Sequence, residues 1–230
     1  MPPSELTALL ALGTQREFAA GSTLIMEGDA GTDVLMLIDG WVKVVGLTAY
    51  GGRALLALCF SGDLVGEQAA LDGLPRAASV IASGPTVVHL IGRDNFLRFL
   101  NNAPAAGVAL SRVLSAKLRW ANSRRIDFSG LPVLTRLARV LSELAQLECS
   151  PAWSGIGFGY TLTQPELAEM IGASEPSVHK ALRQLRNRGV IATGYRKIAI
   201  RDEVALRVVA ESAWPEAAGS AVPARLRSTA

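Results

Sequence analysis

The chain is poor in the residues that build most metal and redox sites. Its 230 residues include two cysteines, Cys59 and Cys149, and two histidines, His89 and His179. The cysteines lie outside any CxxC spacing, which argues against a disulfide scaffold, a zinc site or a four-cysteine iron–sulfur cluster. His89 sits in the apolar run VVHLI and reads as a strand residue. Also lacking is any uncharged apolar run of about 18 residues, so no membrane span is expected. The N-terminal MPPSELTALLALGTQREF has neither a basic leader nor a cleavage site. It reads as a short amphipathic helix, and a cytoplasmic location is the default expectation. No internal repeat is evident.

Charge is unevenly placed. Residues 1–110 carry 6 Lys/Arg against 10 Asp/Glu, whereas residues 111–230 carry 17 against 10. A basic second half behind an acidic first half is the pattern of a nucleic-acid-binding domain joined to a sensor. The length allows one large or two modest domains.

Residues 18–100 read as short strands, TLIMEG, VLMLIDGWVKVVGL, RALLALCF, ASVIA and TVVHLIG, separated by glycines. This pattern suggests an antiparallel barrel or sandwich. TAYGGRALL reads as a hairpin in which Gly51-Gly52 supplies positive φ. From Pro104 the period becomes helical for some twenty residues. Val108, Leu110, Val113, Leu114, Leu118 and Ala121 form a stripe that packs on the strands or on a second copy. RRIDFSGLP is expected to break that helix. A second helical segment, LTRLARVLSELAQLE, leads to the loop CSPAWSGIGFG, and the C-terminal PEAAGSAVPARLRSTA is expected to be disordered.

The segment YTLTQPELAEMIGASEPSVHKALRQLRNRGVIATGYRKIAI holds two short helices and a wing. Thr163 and Glu166 form a capping box with Pro165 in the first turn, Gly172 ends the first helix, and Ser174 caps the second. That is a helix-turn-helix. From Pro176 to Arg201 there are seven basic residues, Lys180, Arg183, Arg186, Arg188, Arg196, Lys197 and Arg201, and no acid. A solvated helix normally mixes signs, whereas a face of one sign suits phosphates. The start of the second helix would reach base edges. Candidate DNA contacts are therefore Thr163, Ser174, Glu175, Pro176, Ser177, His179, Lys180, Arg183, Arg196 and Lys197.

The stretch LVGEQAALDGLPRAASVIA carries one acid, Glu67, and one base, Arg76, among apolar residues. They either pair with each other or serve a ligand that needs both. A carboxylate accepts from a ribose hydroxyl, and a guanidinium offers a fork to phosphate. Gly66 would let the backbone approach closely at a helix start. No paired carboxylates, metal cluster or nucleophile–base set accompanies them, so an enzyme is not expected.

FSGDLVGEQAALDGLPRAASV resembles the phosphate-binding cassette of cyclic-nucleotide-binding domains. Over about residues 5–210 the chain resembles the cAMP receptor protein/FNR (Crp/Fnr) family of bacterial regulators. The resemblance implies an α+β fold. A double-stranded, jelly-roll-like β-roll would span 1–103 and a dimerisation helix 104–128. A winged helix-turn-helix would follow over 129–211, with a tail over 212–230. It implies a homodimeric transcription regulator acting on palindromic double-stranded DNA and RNA polymerase, with cAMP or a related cyclic nucleotide as effector and no covalent cofactor. Glu67 would bind the ribose 2′-hydroxyl and Arg76 the cyclic phosphate, with Gly66 and Ala77 giving backbone N–H groups. Ala77 matches the eukaryotic-type cassette, whereas the bacterial receptor has Ser there. Gln68 replaces the usual apolar residue beside the phosphate. Ala121 and Asn122 take the adenine-facing helix positions, and Glu175-Pro176 replaces the family's Arg-Glu in the second helix, so a different operator is implied.

Overall fold

The computed structural model describes residues 3–49, 51–148, 162–194 and 197–212. The chain divides into two compact units, one through Leu118 and one from Arg119. The CSPAWSGIGFG loop, Arg196 and the C-terminal tail lie outside the described residues.

In the first unit, helix α1 (Pro3–Leu10) precedes eight strands. These are β1 (Thr14–Phe18), β2 (Thr23–Ile25), β3 (Val34–Asp39), β4 (Trp41–Leu47), β5 (Arg53–Phe60), β6 (Leu64–Val65), β7 (Ser79–Ala82) and β8 (Thr86–Ile91). They form two antiparallel four-stranded sheets, ordered β1-β8-β3-β6 and β2-β7-β4-β5. Helix α2 (Glu67–Asp72) lies between β6 and β7, and α3 (Arg93–Asn102) follows β8.

Strand β3 shows why the sheets stack as they do. Successive strand side chains point to opposite faces. Leu35 and Leu37 join Val42, Cys59, Val80 and Val88 in one core, while Val34 and Met36 join Leu9, Ile91, Phe96 and Leu110 in another. One face of the strand thus meets the second sheet and the other meets helices. His89 stands in β8 opposite Met36 and Gln15, as its apolar run implied.

Two local expectations change. TQREF is not helical: α1 stops at Leu10, and Thr14–Phe18 is an edge strand paired with β8. Gly13 marks the switch, since a Cβ there would come 2.2 Å from the Leu90 carbonyl oxygen. Of the two glycines in the β4–β5 hairpin, Gly51 has positive φ (77°) and Gly52 does not.

Helix α4 runs from Pro104 to Gly130 without interruption. RRIDFSG therefore does not break it; Pro132 forbids its continuation instead. The expected apolar stripe divides. Leu110 and Val113 are buried, whereas Val108 and Leu118 are 52% and 63% exposed.

The second unit holds the end of α4, α5 (Val133–Glu148), α6 (Gln164–Ile171), α7 (Glu175–Asn187), strands β9 (Ile191–Gly194) and β10 (Lys197–Ile200), and α8 (Glu203–Glu211). Arg side chains finish its helices. Arg136 Nη1 donates to the carbonyls of Ile171 and Gly172 at 2.7 and 3.1 Å, and Arg139 Nε to that of Ala210 at 2.8 Å. Cations at helix C-termini satisfy orphan carbonyls and complement the dipole.

Candidate functional site

Gly66 and Glu67 sit where β6 turns into α2. Gly66 has φ 81°, and a Cβ would lie 2.6 Å from Arg76 Nη1 and 2.9 Å from both the Asp33 oxygen and Ile25 Cδ1. Gly66→Ala would therefore add about 1–2 kcal/mol of left-handed backbone strain and push Arg76 aside. We expect a lower urea midpoint and weakened anion binding, both measurable on one sample.

Glu67 and Arg76 are buried, at 3% and 7% exposure, yet they do not pair with each other. Arg76 Nη1 donates to the Gly66 carbonyl at 2.8 Å and Nη2 to that of Asp33 at 2.7 Å. A guanidinium has five N–H donors, so these ties fix the plane and leave donors for an anion. Burial draws its pKa below the ordinary value, against the opposing pull of Asp33, Asp29 and Glu67. Glu67 Oε1 instead accepts from Lys117 Nζ of α4 at 2.8 Å, and the same ammonium donates to the Leu64 carbonyl at 3.1 Å. Burial alone would lower the Lys117 pKa, but Glu67, Cys59 and Asp63 together outweigh it and the net shift is upward. Lys117 therefore stays protonated. A buried carboxylate held by a cation, beside a guanidinium with spare donors, fits a ribose hydroxyl next to a phosphate. Gln68 and Ala77 are exposed, as are Ala121 and Asn122 on the part of α4 in the second unit.

The capping box at the start of α6 is complete. Glu166 N donates to Thr163 Oγ1, and Thr163 N donates to the Glu166 carboxylate. Gly172 ends α6 at φ 58°. Leu167, Ile171, Val178 and Leu185 are fully buried, which fixes α7 against α6. Ser174 holds the cap position of α7 but makes no cap hydrogen bond; its hydroxyl pairs with that of Ser177 at 2.9 Å. Glu175, Pro176, His179, Lys180 and Arg183 are exposed. β9 and β10 form the antiparallel wing, and Arg186 Nη1 donates to Thr193 Oγ1 at 3.2 Å across to it. Lys197 begins β10.

Residues 15–103 match the cyclic nucleotide-binding domain, and residues 135–209 match the Crp-like helix-turn-helix domain. The chain is 30% identical over 200 residues to the CRP-like cAMP-activated global transcriptional regulator of Mycobacterium tuberculosis, covering 87% of this chain and 89% of that one. It belongs to the Crp/Fnr family of transcription regulators. The cyclic AMP receptor protein of Thermus thermophilus is 26% identical over 91% of this chain and 94% of its own. Among solved structures, the c-di-GMP-responsive regulator CLP of Xanthomonas campestris shares the fold, with a TM-score of 0.73 and 18% identity over 86% of this chain and 98% of that one.

This Crp/Fnr regulator is thus a DNA-binding protein with a cyclic-nucleotide-binding domain, not an enzyme. Among the described residues no helix is long and apolar enough to cross a membrane. The residue sequence reasoning missed is Lys117. Its only local signal is a lysine among apolar helix positions, and nothing local pairs it with a carboxylate on α2.

Proposed function

We propose that this Crp/Fnr regulator is controlled by a cyclic nucleotide, cAMP, held in the β-roll. The observation that carries the reading is the buried, mutually unpaired Glu67 and Arg76. A buried ionic group is a poor stability device by itself, and this arrangement leaves Arg76 donors for a ligand. Glu67 takes the ribose 2′-hydroxyl, Arg76 the cyclic phosphate, and the N–H groups of Gly66 and Ala77 add to the anion site beside Gln68. The M. tuberculosis relative is described as cAMP-activated and the T. thermophilus one as a cyclic AMP receptor, which supports this effector.

The regulator works as a homodimer along α4, where the exposed Val108 and Leu118 await a second copy. Its operator is two-fold symmetric, with half-sites about one helical turn apart. Thr163, Ser174, Ser177, Lys180, Arg183, Arg196 and Lys197 hold the backbone, and the first turns of α7 enter the groove. The effector acts by binding the DNA-competent state better, and the bound dimer meets RNA polymerase in the cytoplasm. Titration calorimetry of cAMP and cGMP into wild type and Arg76→Ala tests the pocket. Heat with the wild type alone supports it; equal heats exclude it.

A second reading keeps the dimer on DNA but makes it indifferent to cyclic nucleotide or responsive to another signal. Two observations favour it: Lys117 already occupies Glu67 Oε1, and Ala121 has no group to hydrogen-bond a base. DNA affinity unchanged by cAMP and cGMP would select this reading.

A further inference from the structure

The basic face of α7 begins with an acid. Glu175 is exposed in the first turn, and with Gln164, Pro176 and His179 it lines an open hollow of about 500 Å³. Among the described residues it forms no ion pair within the chain. From there to Arg201 every charged side chain is basic. Beside phosphate a carboxylate is repelled, so on this face it serves only where it meets a donor. In the major groove the donors are the exocyclic amines of cytosine and adenine. At adenine the amine lies next to N7, an acceptor that repels the second carboxylate oxygen. At cytosine it lies next to a C–H edge. Pro176 removes one backbone N–H from the same turn, which weakens any alternative use of this end as a phosphate clamp. His179 lies one turn along, about 6 Å away at 1.5 Å per residue, on the same face.

We propose that Glu175 is a specificity residue of the DNA interface and selects a cytosine through its N4 amine. The inference rests on α7 entering the major groove, and the test separates the two. Duplexes are selected from a randomised library, with and without cAMP, by the full-length wild type, Glu175→Ala, Glu175→Gln and Lys180→Ala. Wild type is expected to enrich C·G at one position per half-site, with about tenfold or greater loss when that pair is changed. Glu175→Ala should lose preference at that position only, keeping the salt dependence of binding. Glu175→Gln should shift it to A·T, because an amide both donates to N7 and accepts from N6 of adenine. Lys180→Ala should retain the cytosine. The proposal is overturned if Glu175→Ala keeps the wild-type preference at every position and changes only thermal stability, which is the outcome for a carboxylate that merely favours a helix start. If the folded wild type selects no duplex at all, groove entry and this proposal both fail. If Glu175→Ala weakens all duplexes equally, only this proposal fails.

Discussion

Titration of cAMP into Arg76→Ala should produce no binding heat at concentrations that saturate the wild type. Hydrogen bonds to charged groups contribute about 1.5–3 kcal/mol each, and a guanidinium–phosphate fork makes two. Losing both costs about 3 kcal/mol or more, which is over 100-fold in affinity. The structure adds a second cost. Arg76 ties the Gly66 and Asp33 carbonyls together at 2.8 and 2.7 Å, so its removal also loosens the turn that presents Glu67. Arg76→Lys separates the two effects. It keeps the charge but cannot span both carbonyls and a phosphate, so partial binding is expected. Glu67→Gln keeps the shape of the turn and should weaken ribose-bearing ligands while leaving the Arg76 ties intact. A full wild-type heat with Arg76→Ala, in protein that melts at the wild-type temperature, removes this pocket from consideration.

The second large effect lies in the other unit. Asp127 of α4 is 2% exposed and accepts from Arg139 Nη1 at 2.6 Å, with Arg124 Nη1 at 3.6 Å. Arg124 is itself 5% exposed. It reaches Glu143 on α5, which also accepts from Trp120 Nε1 at 3.0 Å. Burial pushes the Glu143 carboxyl above its ordinary range, against the pull of Arg124 and Trp120. The network joins the end of α4 to α5. Arg124 is only partly satisfied, since its Nε and Nη1 make no hydrogen bond. Asp127→Ala would leave Arg124 with one carboxylate and Arg139 with the Ala210 carbonyl alone. Breaking a buried pair from one side costs about 3–5 kcal/mol. A urea titration followed by circular dichroism should show that loss as a lower midpoint, or as a separate early transition of the second unit if the units unfold independently. Asp127→Asn, which keeps shape and an acceptor, should lose less. A loss below about 1 kcal/mol would mean the network carries little stability.

Both sites were half legible beforehand. Glu67 and Arg76 stood out as an acid and a base in an apolar stretch, but which partner each takes was not readable. Lys117 is far from Glu67 in the chain, and only folding of α4 onto the roll brings its ammonium within 2.8 Å. Arg139 and Glu143 lie on α5, and no local pattern ties them to Arg124 and Asp127 of α4. Arg124 and Asp127 sit in RRIDFSG, which reads as a break because a polar run hides burial that a second helix supplies. TQREF carries no strand signal for the related reason that an edge strand with exposed polar side chains has no apolar alternation.

What the sequence determined by itself is local. Thr163 and Glu166 make a capping box within one turn, Gly172 closes α6 in a left-handed conformation, and the unbroken apolar run VLML supplies both buried faces of β3. These depend on residues a few positions apart, so the chain records them directly. The one-sign charge from Pro176 to Arg201 is likewise a property of composition. Tertiary structure alone decided which charges are buried and with whom: Arg76 with two carbonyls, Glu67 with Lys117, Asp127 with Arg139. Burial and long-range pairing depend on what the rest of the chain places nearby, and desolvation then makes those pairs strong or costly.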